Sequence, residues 1–223
     1  MRVLASLVFS AALALPAFAD GASVSATGIG TVEVEPDIAT VSIGVTTQGD
    51  TAAASLTANS KAVEAVMARL TADGITATDM QTSNLYLSPN WTGYDTGAPV
   101  ISSYVASNML TVTVRDLSKL GAILDSSVSD GANTLNGVTF GLADPEPVLN
   151  EARKEAVVVA QTKAELLATA AGMKLGNIIS ITESSAANMP YPMYDEAAAA
   201  PVPVAGGALG LSASVTVLYE ITE

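Results

Sequence analysis

The sequence predicts an α+β fold: a mixed, largely antiparallel sheet packed against helices, built from ββαβ-type units. Three observations carry this expectation. Segments in which apolar and polar residues alternate with period two recur between segments whose apolar residues are spaced as on one face of a helix. Glycines stand where the helical segments stop. Three helical segments interrupt the strands, whereas the strands of a membrane barrel follow one another by hairpins. The chain has 223 residues, enough for one domain with a substantial core.

The elements follow in order. Val24 to Val34 reads as a strand, and after the turn at Pro36 and Asp37 the alternating Val41, Ile43 and Val45 read as its hairpin partner. From Thr51 to Asp73, Leu56, Val63, Val66, Met67 and Leu70 fall on one helical face, and Gly74 ends the helix. A strand runs from Asp79 to Leu87. Pro89 to Pro99, with Trp91 and Tyr94, reads as an exposed connection. Leu110, Val112 and Val114 mark a strand, Leu117 to Val128 a short helix closed by Gly131, and Val138 with Phe140 another strand. Asp144 to Ala171 is the clearest helix: Asp144 suits an N-cap, Pro145 the first helical position, and Gly172 the stop. Ile178 to Glu183 returns to strand. Residues 188–207 carry four prolines, four consecutive alanines and two adjacent glycines, and read as a long loop or arm without periodicity. Leu211, Ala213, Val215, Val217 and Tyr219 alternate in a last, half-buried strand.

The N-terminus has the pattern of an export signal. Arg2 carries one positive charge, Val3 to Leu15 is uncharged and apolar, and Ala17-Phe18-Ala19 places small residues before a cleavage point at Asp20. The expected organisation is a signal peptide at 1–19 and a single domain at 20–223, with no transmembrane span in the mature chain and no cysteine at its start for a lipid anchor. The net charge is −13, and loss of Arg2 makes it −14. That balance repels nucleic acid and anionic headgroups, so nucleic acid is not an expected partner.

Cysteine and histidine are both absent. The usual zinc ligands, the thiol nucleophile and the base of a serine triad go with them, leaving carboxylates, Lys, Tyr and hydroxyls for any chemistry. The individual candidates are better read as structural. Gly28-Ile29-Gly30 lacks the third glycine of a dinucleotide loop, for which Glu33 stands instead, and reads as relief of crowding or a bulge in a strand. Ser212 lies near Gly210 but lacks the second glycine of a nucleophile elbow. Lys163 sits beside Glu165 on a polar helix face. Asp37, Asp79, Asp116 and Asp144 each stand at an element boundary, where short carboxylates cap helices and close turns. Met189-Pro190-Tyr191-Pro192-Met193-Tyr194-Asp195 offers two thioethers and a carboxylate to a soft metal, but three soft ligands are usual. The favoured reading makes Met189, Tyr191, Met193 and Tyr194 oligomer contacts, residue types enriched at interface cores. No catalytic residue, cofactor or metal ligand is assigned.

These residues, in their order and spacing, resemble the SIMPL-domain family. The likeness lies in Gly28-Ile29-Gly30, Val34-Glu35-Pro36-Asp37-Ile38-Ala39, Asp79-Met80-Gln81-Thr82, Tyr104-Val105-Ala106-Ser107-Asn108, Lys163-Ala164-Glu165-Leu166-Leu167-Ala168 and Val217-Leu218-Tyr219-Glu220. It spans essentially the whole mature chain. The resemblance implies a periplasmic or outer-membrane-associated protein linked to oxidative stress defence and implies no reaction; the first reading is therefore a non-enzymatic protein with itself and other envelope proteins as partners. The resemblance further implies a large ring-like or channel-like oligomer, as in one relative. The alternative from a different class is a small-molecule or soft-metal binding module of the periplasm, using residues 89–99 or the arm.

Overall fold

The structure, a computed structural model, describes residues 21–184, 191–193 and 206–223. The expected signal segment and its expected cleavage point at Asp20 lie outside the described residues, as do Met189 and Tyr194.

The fold is α+β, as expected, with two four-stranded sheets whose pairings are all antiparallel among the described residues. In the first sheet β1 (Ser23–Val34) pairs with the C-terminal strand β8 (Ala208–Thr222), which pairs on its other side with β6 (Lys174–Glu183) and, farther along, with β7 (Tyr191–Met193). The second sheet has the order β3 (Met80–Thr92), β4 (Val100–Val114), β2 (Ile38–Gly49), β5 (Thr134–Gly141). Helix α3 (Glu146–Ala170) lies on the first sheet; α1 (Ala52–Ala72) and α2 (Leu120–Ser129) lie on the second. Each sheet has its own core.

The expected hairpin of the first two strands does not form. Pro36 brings no N–H to a turn, and Asp37 is tied elsewhere: its N–H donates to Gly141 O at 3.1 Å and its Oδ1 accepts from Ala143 N at 2.7 Å. The connection is therefore anchored to the exit of β5, and β1 and β2 diverge into different sheets.

Two further expectations are corrected. The segment at 89–99 is not a loop, because β3 runs through Pro89 to Thr92 against β4. Among the described residues β3 is an edge strand, a place in a sheet where a missing N–H can cost no ladder bond. Only the turn around Tyr94–Thr96 remains, closed by Gly93 and Gly97 at φ 84° and 72°. The arm also contains structure, since β7 adds to β8 with Tyr191 opposite Gly210 and Met193 opposite Ala208.

Helix α1 starts and stops where expected, but its buried face is Ser55, Asn59, Val63, Val66 and Leu70. Leu56 and Met67, read as core residues, are exposed. At its N-terminal half the helix is held by polar contacts. Asn59, fully buried, donates from Nδ2 to Val45 O (2.8 Å) and Ala106 O (3.1 Å), while Ser55 and Thr47 exchange hydroxyl-to-carbonyl bonds at 3.2 and 2.9 Å.

Candidate functional site

The boundary aspartates carry carboxylates of the kind that acid–base chemistry requires, and each has a structural task. Asp144 accepts from Glu146 N at the start of α3, and Asp116 accepts from Ser118 N at the short turn before α2. Asp79 and Asp116 do converge, with Asp73, on a cleft of about 140 Å³ that Arg115 and Lys119 also line. Their chemistry there is ion pairing. Arg115 grips the Asp79 carboxylate from Nε (3.1 and 3.2 Å) and Nη2 (2.7 Å), and Thr76 donates to it at 2.9 Å. The Arg115 bonds, chiefly, hold the Asp79 carboxyl below its ordinary value of 3.8, against a partial opposing effect of burial; Ser118 and Lys119 lower that of Asp116. A general acid working near neutrality needs the opposite shift.

Lys163 and Gly28-Ile29-Gly30 belong to one device. The face of α3 toward β1 is a row of alanines, Ala152, Ala156, Ala160, Ala164 and Ala168, all fully or almost fully buried. Side chains this small let the helix backbone approach the strand, and the glycines complete the approach. A Cβ at Gly28 would overlap the Ala156 carbonyl, and one at Gly30 the Ala152 carbonyl. The glycines relieve crowding. From the same helix, Lys163 Nζ donates to Thr27 O at 2.9 Å and Glu155 Oε2 accepts from Thr31 N at 3.2 Å. These two side chains occupy backbone groups on the outer side of β1, which is an edge strand. Ser212 likewise serves the sheet, pairing its hydroxyl with that of Thr31 at 2.9 Å.

The opposite edge of the first sheet is treated differently. β6 bears charge only at its ends, Lys174 and Glu183, and between them Ile178, Ile179 and Ile181 are each more than half exposed. From Asn177 to Glu183 every residue of β6 is exposed, on both faces of the strand. β7 continues the same side of β8, so Tyr191 and Met193 stand on the line of β6. Sequence reasoning placed Tyr191 and Met193 in an arm; it missed the isoleucines, whose only signal was an apolar pair breaking the alternation of β6.

A second unpartnered surface lies on the second sheet. Leu85, Tyr86, Leu87, Trp91, Val100 and Ile101 are all exposed along the β3–β4 ribbon, and Tyr94 at its turn is 68% exposed. Beside α2 and β5, an apolar cavity of about 190 Å³ is lined by Ile43, Leu124, Val128, Ala132 and Leu135. No group of three or more carboxylates suited to a metal ion occurs among the described residues, and no helix among them is long and apolar enough to cross a membrane.

The family described as "SIMPL: Protein of unknown function (DUF541)" matches residues 24–219. The chain is 36% identical to the 26 kDa periplasmic immunogenic protein of Brucella melitensis biotype 1, over 97% of this chain and 94% of that one. It is 31% identical to the uncharacterized protein YggE of Escherichia coli K12, over 82% of this chain and 75% of that one. With a match running from β1 into β8, across both sheets and all three helices, the chain belongs to the SIMPL family.

Proposed function

We propose that this chain is a non-enzymatic, periplasmic or outer-membrane-associated protein of the envelope's oxidative stress defence, and that it works by assembling with itself. The location rests on the export signal read at residues 1–19 and on a relative named as periplasmic over nearly its full length. The stress role rests on family resemblance. The observation that carries self-assembly is the asymmetry of the first sheet: the β1 edge is occupied by Lys163 and Glu155, while the β6 edge has no partner strand among the described residues and is uncharged along its middle and apolar. An edge of that kind is a template for another strand. The expected contacts Tyr191 and Met193 extend it, with Met189 and Tyr194 flanking them in sequence.

The absence of a catalytic role is supported by the boundary aspartates: Asp37, Asp79, Asp116 and Asp144 are each engaged in an ion pair, a turn or a helix start, and the carboxyls of Asp79 and Asp116 are shifted away from neutrality. The test is complementation of a peroxide-sensitive deletion strain. Wild type, Asp79→Asn and Lys163→Ala should restore survival as folded proteins, while a variant with Ile179→Lys and Ile181→Lys should not. Loss of survival in folded Asp79→Asn would reveal a chemical site. A binding module remains the second reading because of the α2–β5 cavity, whose size suits a benzene-sized apolar group. A rise in melting temperature with such a compound would favour it.

A further inference from the structure

We propose that the free end of the β3–β4 ribbon docks on the surface of a lipid bilayer, with the ribbon lying in the interfacial region of uncharged lipids. The proposal uses the envelope location given above for access to a membrane and is independent of self-assembly. β2 accompanies β4 only as far as the pair Gly49 and Tyr104. Beyond it, Asn90–Thr92 and Val100–Ser103 form a two-stranded ribbon with no third strand among the described residues. At roughly 3.3 Å per residue the overhang reaches about 13 Å before its turn. A lone two-stranded ribbon is marginal in water.

The side chains indicate what surrounds it. Trp91 pairs with Ile101, and the next pair, Thr92 with Val100, presents its side chains on the other face. Both faces therefore carry large apolar residues, each at least two-fifths exposed: Trp91 43%, Ile101 42% and Val100 58%. A second protein laid on one face would leave the other wet, whereas a bilayer interface surrounds both. Charge points the same way. Between Asp79 and Arg115 the chain carries a single charged residue, Asp95, in a molecule of net charge −13. Such a molecule is repelled by anionic headgroups, so uncharged lipid is the complementary surface. Trp and Tyr favour the boundary between headgroups and acyl chains, and the ribbon presents Trp91 and Tyr94 at its end. The outer edge of β3 has no partner strand among the described residues, which limits the ribbon to that boundary and excludes the acyl core.

Trp91 is the sole tryptophan, so its emission reports on the ribbon directly. Residues 20–223 are titrated with phosphatidylcholine vesicles and then floated on a density gradient. The expected results are a blue shift of Trp91 emission and co-flotation, both indifferent to salt, and weaker binding when phosphatidylglycerol is included. Val100→Asp should lower partitioning about tenfold, the worth of one large apolar side chain, and Asp95→Asn should raise it. Val100 is solvent-exposed, so its variant keeps the fold, which circular dichroism melting verifies. Emission that ignores lipid, or partitioning unchanged in Val100→Asp, overturns the proposal. A shift that follows protein concentration and not lipid assigns the ribbon to a second copy and overturns it too. Flotation of a protein that scatters light as a monomer would separate this proposal from the failure of self-assembly.

Discussion

Gly28 lies directly beneath the Ala156 carbonyl of α3, so close that no side chain fits between strand and helix. Its backbone is ordinary extended strand, and space alone requires the glycine. Gly28→Ala should therefore lower unfolding free energy by about 3 kcal/mol or more, since the obstacle is backbone that cannot rotate away. Gly121 is the internal control: it lies in α2, and a Cβ there would have nothing within 4 Å. Gly121→Ala should stabilise by about 0.5–1 kcal/mol. Urea unfolding of both variants reads the two signs.

Asn59 ties α1 to β2 and β4 through one amide nitrogen, and its Oδ1 has no partner among the described residues. Asn59→Ala removes the donor to two buried carbonyls and should cost about 2 kcal/mol. Asn59→Asp should cost more, because it also places a carboxyl group against carbonyl oxygens in a buried site. A urea midpoint for Asn59→Asp above that of Asn59→Ala would contradict this account of the clasp.

The Asp79 and Arg115 pair gives the stability a pH dependence with a definite sign. The folded-state carboxyl lies below 3.8, so its contribution is complete above that value and is lost as pH falls through the lower, folded-state value. Arg115 is well exposed, so solvent screening keeps the effect modest. Between about pH 7 and about pH 3, Asp79→Asn should lose less stability than wild type. Equal losses would show that the pair contributes nothing to acid sensitivity.

Lys163 and Glu155 bond to backbone groups of the β1 edge. The double variant Lys163→Ala, Glu155→Ala should fold, and should associate or precipitate at concentrations where wild type stays clear, because Thr27 O and Thr31 N become free to pair with another chain. Turbidity against concentration measures this.

Much of the fold was legible because local signals and tertiary packing agree. Helix α1 begins beside Thr51, whose hydroxyl accepts from Ala54 N, and Gly74 follows its end with φ 95°. Strand partners were not legible. Val24–Val34 and the segment around Ile43 look like neighbours in sequence, yet the contacts that separate them, Asp37 with Gly141 and Ala143, join residues about a hundred positions apart. The burial of Ser55 and Asn59 was hidden for a related reason: a polar side chain is buried only where carbonyls such as those of Val45 and Ala106 await it. The open edge of β6 escaped because Ile178 to Glu183 read only as a strand, and the position of α3, over β1 and β8, is what shows which of its residues are left uncovered.

Self-assembly through that open edge is the central claim, and static light scattering of residues 20–223 tests it most directly. The wild type should give a mass that is a multiple of the chain's, and Ile179→Lys with Ile181→Lys, both at exposed positions of β6, should reduce it to one chain while melting as before. A monomeric wild type, or a folded lysine variant of unchanged mass, would contradict the claim.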